Sequence, residues 1–149
     1  MPSRRRSRQQ ALQVLFLWDM SKQSVPDSLR AYFETLVAEE GRPKPPVDPF
    51  LLELVNGAVE NLTEIDRRIS VHAEHWRIER MPAVDRNILR LAVFEMLRSP
   101  TPAPVVIDEA LELARRFSNE ESVQFVNGVL DAVHRELDAE KQTTARPQA

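Results

Sequence analysis

Cysteine is absent, so disulfides, thiolate zinc sites and thiol nucleophiles are all excluded. Glycine is scarce: three residues in 149 leave no G-x-G-x-x-G turn and no Walker-type phosphate loop. No apolar run approaches the length of a membrane span, and the basic N-terminus lacks the apolar core and cleavage site of a signal peptide. A cytoplasmic protein without membrane attachment is therefore expected. Hairpin signals are lacking too, so no β-structure is expected. No serine sits in a nucleophile elbow, and Glu120 and Glu121 fit helix capping better than acid–base work. His72 and His75 stand three apart at helical spacing and could share a metal. No third ligand is evident nearby, and surface or partly packed histidines are the plainer reading. Together these absences point to a protein that is not an enzyme and holds no cofactor.

What is present is ordinary globular composition, 42% hydrophobic and 29% charged, in a length that suits one domain with a real core. The organising stretch is Met81 to Arg98. Pro82 suits a first helical position and Asp85 adds negative charge to the first turn. Wound as a helix, its apolar residues cover most of the circumference, and only Arg86, Asn87 and Arg90 form a narrow polar strip. Such a helix belongs inside a bundle, and the proline-rich run Ser99 to Pro104 ends it.

The other segments are also helical. A first helix runs from about Arg4 to Met20, and a second from about Pro26 to Glu40 with Leu29, Phe33, Leu36 and Val37 inward. Gly41 to Val47 is a loop, and Asp48-Pro49 caps a third helix. Thr63 to Asp66 resembles a cap for a fourth, reaching about Trp76. A sixth helix spans about Pro104 to Phe117, and Ser118 to Glu121 reads as a capping box for the last, Asn119 to about Glu140. Lys141 to Ala149 has no apolar period and is expected to be a disordered tail. The expected fold is all-α with about seven helices. Val55-Asn56-Gly57 and Val126-Asn127-Gly128 both place glycine mid-helix, which predicts close helix crossings.

Charge is distributed unevenly. Arg4, Arg5, Arg6 and Arg8 put +4 into the first ten residues, leaving −7 on the rest of a chain whose net charge is −3. Helix starts carry partial positive charge and prefer acids, so this end is unfavourable unless an anion such as a phosphate binds there. A frayed, solvated terminus is the alternative. Phe125 lies about 120° from the centre of the Val126–Leu130–Val133 seam. It could stack on an unpaired RNA base, or pack on the flank against the sixth or first helix, and periodicity leaves both open.

Several motifs occur in order: Arg4-Arg-Arg-x-Arg, Ala11-Leu-Gln-x-Leu-Phe-x-Trp-Asp, Val84-Asp-Arg-x-Ile-Leu-Arg-Leu-Ala-Val-Phe-Glu, Ile107-Asp-Glu-Ala-x-Glu-Leu-Ala and Phe125-Val-Asn-Gly-Val-Leu-Asp. On these the chain resembles the NusB family of bacterial transcription antitermination factors. The resemblance implies two small helical bundles, about residues 4–76 and 82–140, within a single domain of residues 1–140. It also implies binding of single-stranded boxA RNA on nascent ribosomal RNA transcripts, together with the ribosomal protein NusE, within the transcription elongation complex. The family's RNA surface falls here on Arg4, Arg5, Arg6, Arg8, Glu121 and Phe125, with Phe117 nearby. Its NusE surface falls on Phe16 and Asp85, and Asp85→Lys is expected to weaken that association while barely changing stability. Gln124 departs from the family's frequent lysine, and Ser118-Asn119 from its usual glycine-containing turn. Two other readings remain: a free-standing RNA-binding module like that of ribosomal RNA methyltransferases, and a structural homodimer through the apolar half of helix one. Homodimerisation is also compatible with the adaptor.

Overall fold

The computed structural model describes residues 3–41, 48–74 and 76–145, apart from the side chains of Val37, Glu40, Thr144 and Ala145. The expected inward Val37, most of the Gly41–Val47 loop, and His75 with the metal pair it would form lie outside the described residues. Seven α-helices and one 3₁₀ turn, with no strand, make up the described residues: α1 (Arg4–Ser21), α2 (Val25–Glu40), α3 (Pro49–Glu60), α4 (Leu62–His72), the turn Ile78–Arg80, α5 (Ala83–Arg98), α6 (Ala103–Phe117) and α7 (Glu120–Ala145).

Local chemistry sets most boundaries. Ser3 accepts from the Arg6 N–H at 3.1 Å to start α1, and Lys22 ends it in the left-handed region at φ 62°. Asp48 caps α3 through the Phe50 N–H at 3.1 Å, with Pro49 following. Four boundaries differ from expectation, one of them the end of α4, at His72 rather than near Trp76. Thr63 lies inside α4, because Asn61 joins α3 to α4 almost without a break, its side chain bonding the Gly57 carbonyl at 2.8 Å. Helix α7 is capped by Asn119, whose Oδ1 accepts from the Ser122 N–H at 2.9 Å, while the Ser118 hydroxyl turns to Asp85. The same helix continues through Ala145, so residues 141–145 are helical, and Glu140 near that end is tied to Arg68 of α4 at 3.2 Å.

Helix α5 is the hub, touching α1, α3, α4, α6 and α7. Ile88, Leu89 and Val93 are fully buried, surrounded by Leu15, Leu54, Val55, Ile65, Val106 and Leu130. Gly57 earns its place in α3, since a Cβ there would lie 2.1 Å from the Phe94 ring. Gly128 has nothing within 4 Å of that position, so only the first of the two expected close crossings exists.

The polar strip of α5 points inward. Asn87 and Arg90 are buried, and with Arg86 they converge on Asp19 of α1 at 3.0, 3.3 and 2.6 Å. Arg90 also grips Asp66 of α4 through two bonds of 2.9 Å. The strip is therefore an ion-pair knot joining three helices. Periodicity identifies the polar face, but only neighbouring acids can turn it toward the core.

Candidate nucleic-acid interface

Helix α1 runs antiparallel to α5, so its arginine-bearing start meets the C-terminal end of α5, the start of α3 and the middle of α6. The four arginines occupy four environments. Arg8 is buried and makes a bidentate pair with Glu95, both bonds 2.8 Å, which removes its guanidinium from the surface. Burial pulls its pKa down, but the hydrogen bond and charge of Glu95 overcome this and hold it above the ordinary value. Arg5 is paired with Glu109 at 3.0 and 3.1 Å, yet its side chain remains 59% exposed. The hydrogen bond from Arg5 keeps the Glu109 carboxyl below its usual range against the opposing effect of partial burial. Arg4 stacks on the Phe50 ring at 4.0 Å. Arg6 is exposed and makes no side-chain ion pair among the described residues.

The α1 start has no acid of its own in its first turn, and Glu95 and Glu109 supply that charge from neighbouring helices. The excess is thus partly compensated within the fold, and Arg4, Arg5 and Arg6 form the outward-facing remainder. Glu109 and Phe50 belong to this site, and their roles are invisible in sequence because each is distant in the chain from Arg4–Arg8.

The other residues expected at an RNA surface lie at the opposite end of α5, about 15 Å along the helix from Glu95 to Asp85. Asp85 is buried and accepts from the Ser118 hydroxyl at 2.9 Å and the Ser122 hydroxyl at 2.7 Å. It pins the α6–α7 turn rather than presenting a carboxylate to a partner. The expectation that Asp85→Lys leaves stability untouched is therefore corrected: the first turn of α5 is covered by that turn, and lysine would bury an unmatched cation. Phe117 is half-buried with Arg116 5.4 Å from its ring, and Glu121 is exposed. Phe125 is also half-buried: part of the side chain packs against the hydrophobic core, and it is not sealed inside. Its ring meets Trp76 edge to face, centroids 6.5 Å apart, beside an open cavity of about 300 Å³. Trp76, 52% exposed, escapes sequence reading because α4 stops at His72, short of the expected end near Trp76, and the indole lies beyond the helix.

On α1, Phe16 is 39% exposed and Met20, one turn on, is 57% exposed, giving a small apolar face away from the arginines. Among the described residues no helix is long and apolar enough to cross a membrane.

Comparison with known proteins bears on this geometry. The transcription antitermination protein NusB of Solibacter usitatus is 66% identical over 146 residues, covering 98% of each chain. A solved structure of T. maritima NusB superposes with a TM-score of 0.76 at 34% identity, covering 91% of this chain and 92% of the other. A crystal structure of antitermination factors NusB and NusE with double-stranded RNA aligns at a TM-score of 0.74 and 31% identity, covering 89% of this chain and 96% of that one. The NusB family model matches residues 5–135, which takes in both ends of α5 and, of the arginine helix start, Arg5, Arg6 and Arg8, and the chain belongs to the NusB family.

Proposed function

We propose that this protein is a transcription antitermination factor that binds boxA RNA of nascent ribosomal RNA together with NusE. It acts in the cytoplasm by binding alone, without catalysis. The observation that carries the reading is the arginine helix start: Arg4, Arg5 and Arg6 stand outside an acidic body, while Arg8 anchors the same helix through Glu95. Phosphates of the strand take the three outward arginines. Phe117 and Phe125 meet bases further along α6 and α7, and the exposed Glu121 keeps phosphates out of the cavity it lines beside Phe125. Phe16 with Met20 forms the apolar NusE face. Asp85 supports that partner surface indirectly, by fixing the turn between α6 and α7. The antitermination name of the relatives and the NusB–NusE–RNA assembly of a structural neighbour support the same reading.

Titration of fluorescently labelled boxA RNA with the protein, with and without NusE, tests it. Binding that NusE tightens is the expected result. A protein that forms a homodimer and ignores both RNA and NusE would overturn it.

A further inference from the structure

Trp76 stands where apolar burial would not put it. It follows α4, its backbone N–H bonds the Ala73 carbonyl at 2.9 Å, and its side chain is half in solvent. The indole is a wall between two open spaces: the cavity of about 300 Å³ that also touches Phe125, and a second of about 540 Å³ toward Arg77 and Ile78. Phe125 meets it at an interplanar angle of 63°, so the two rings do not stack on each other. An exposed aromatic beside a partly open cleft is the arrangement on which an unpaired base stacks.

We propose that the cleft between Trp76 and Phe125 receives one unpaired base of the bound RNA, stacked on the indole. This rests on the RNA-binding reading above and adds a contact at the end of α5 remote from the arginines. The polar groups select the part of a nucleotide that enters. Asp85, in the cleft, has both carboxylate oxygens occupied by serine hydroxyls, and the exposed Glu121 carboxylate at the rim repels phosphate. A neutral flat group is admitted and the anionic linkage is held outside. Arg77 and Arg80, on the segment that carries Trp76, are exposed and make no side-chain ion pair among the described residues. They can receive the flanking phosphates. A strand that alternates neutral rings with anionic links matches this order of charge, and an ordinary apolar peptide does not.

The chain has two tryptophans, so Trp18→Phe leaves Trp76 as the sole indole emitter. Titrating that variant with single-stranded boxA RNA, with and without NusE, is expected to quench Trp76 fluorescence. In the otherwise unaltered chain, Trp76→Ala and Trp76→Leu should weaken RNA binding on the order of tenfold, while Trp76→Phe retains most of it. The dependence of affinity on salt should stay unchanged, because no charge is removed. Full affinity in Trp76→Ala without quenching in the single-tryptophan variant overturns the base site and leaves the RNA-binding reading intact. Absence of RNA binding by the unaltered protein overturns both. Loss of NusE co-elution with RNA affinity intact would assign the cleft to protein contact and also overturn the proposal.

Discussion

Four arginines within five positions divide their work according to which carboxylate each can reach. Arg8 reaches Glu95 in the interior, Arg5 reaches Glu109 at the surface, and Arg4 and Arg6 make no carboxylate pair among the described residues. Glu109 therefore competes with any phosphate for Arg5. Glu109→Gln should tighten RNA binding about three- to tenfold at low salt, since removing one nearby negative charge is worth on the order of 1 kcal/mol at a surface. Fluorescence anisotropy at two salt concentrations checks it, and an unchanged affinity would mean that phosphates do not use Arg5. Asp85 poses the opposite case. Asp85→Lys should cost about 3–5 kcal/mol of stability, because the buried Ser122 hydroxyl and the partly buried Ser118 hydroxyl lose their acceptor and a cation is buried in its place. Urea unfolding measures this, and a loss below about 1 kcal/mol would place Asp85 at the surface.

At the scale of elements, identical tripeptides have opposite meanings. Gly57 lets α3 approach the Phe94 ring of α5, whereas Gly128 sits on an exposed stretch of α7 with open space around it. Gly57→Ala should destabilise by about 1–3 kcal/mol through overpacking, with partial rescue by Phe94→Leu. Gly128→Ala should stabilise by up to about 1 kcal/mol from helix propensity. Thermal unfolding of both variants decides the matter, and equal signs would refute the crossing. The α1–α4–α5 knot adds a pH dependence. Burial raises the Asp19 carboxyl, but hydrogen bonds from Arg86 and Asn87 and the charges of Arg90 and Arg86 overcome it, leaving its pKa below the usual value. A carboxyl with a depressed folded pKa contributes stability above its unfolded pKa, about 3.9, and loses it as pH falls through the folded value. The stability margin of the unaltered protein over Asp19→Asn should therefore be constant near neutrality and shrink below about pH 4. A pH-independent margin in urea titrations would count against the pairing.

At the scale of the whole molecule, a cationic end and an aromatic end are held apart by the rigid α5, so a bound strand must extend along the surface to use both. Affinity should then carry two separable parts. The Arg4, Arg5, Arg6 triple alanine variant should flatten the slope of log affinity against log salt by about 2, at the single-strand value of about 0.7 per phosphate. Its helical circular dichroism should be unchanged, because Arg8 and the Ser3 cap remain. A collapse of the helical signal would make those side chains structural instead.

The sequence by itself determined the all-helical architecture, the burial of α5, the cationic helix start and the family motifs. Each of these is written in local periodicity, in capping residues such as Asp48, or in a run of one charge. Gln13 to Tyr32, Arg8 to Glu95 and Asp85 to Ser122 are another matter. A polar side chain's fate depends on which partner arrives from elsewhere in the chain, and hydrophobic spacing says nothing about that. Tertiary structure alone decided that Arg8 turns in while Arg6 stays out, that Asp85 pins a turn, and that Trp76 faces Phe125 across an open cleft. The physical reason is the cost of burying charge: a residue such as Arg8 can leave water only when the fold brings a carboxylate to meet it.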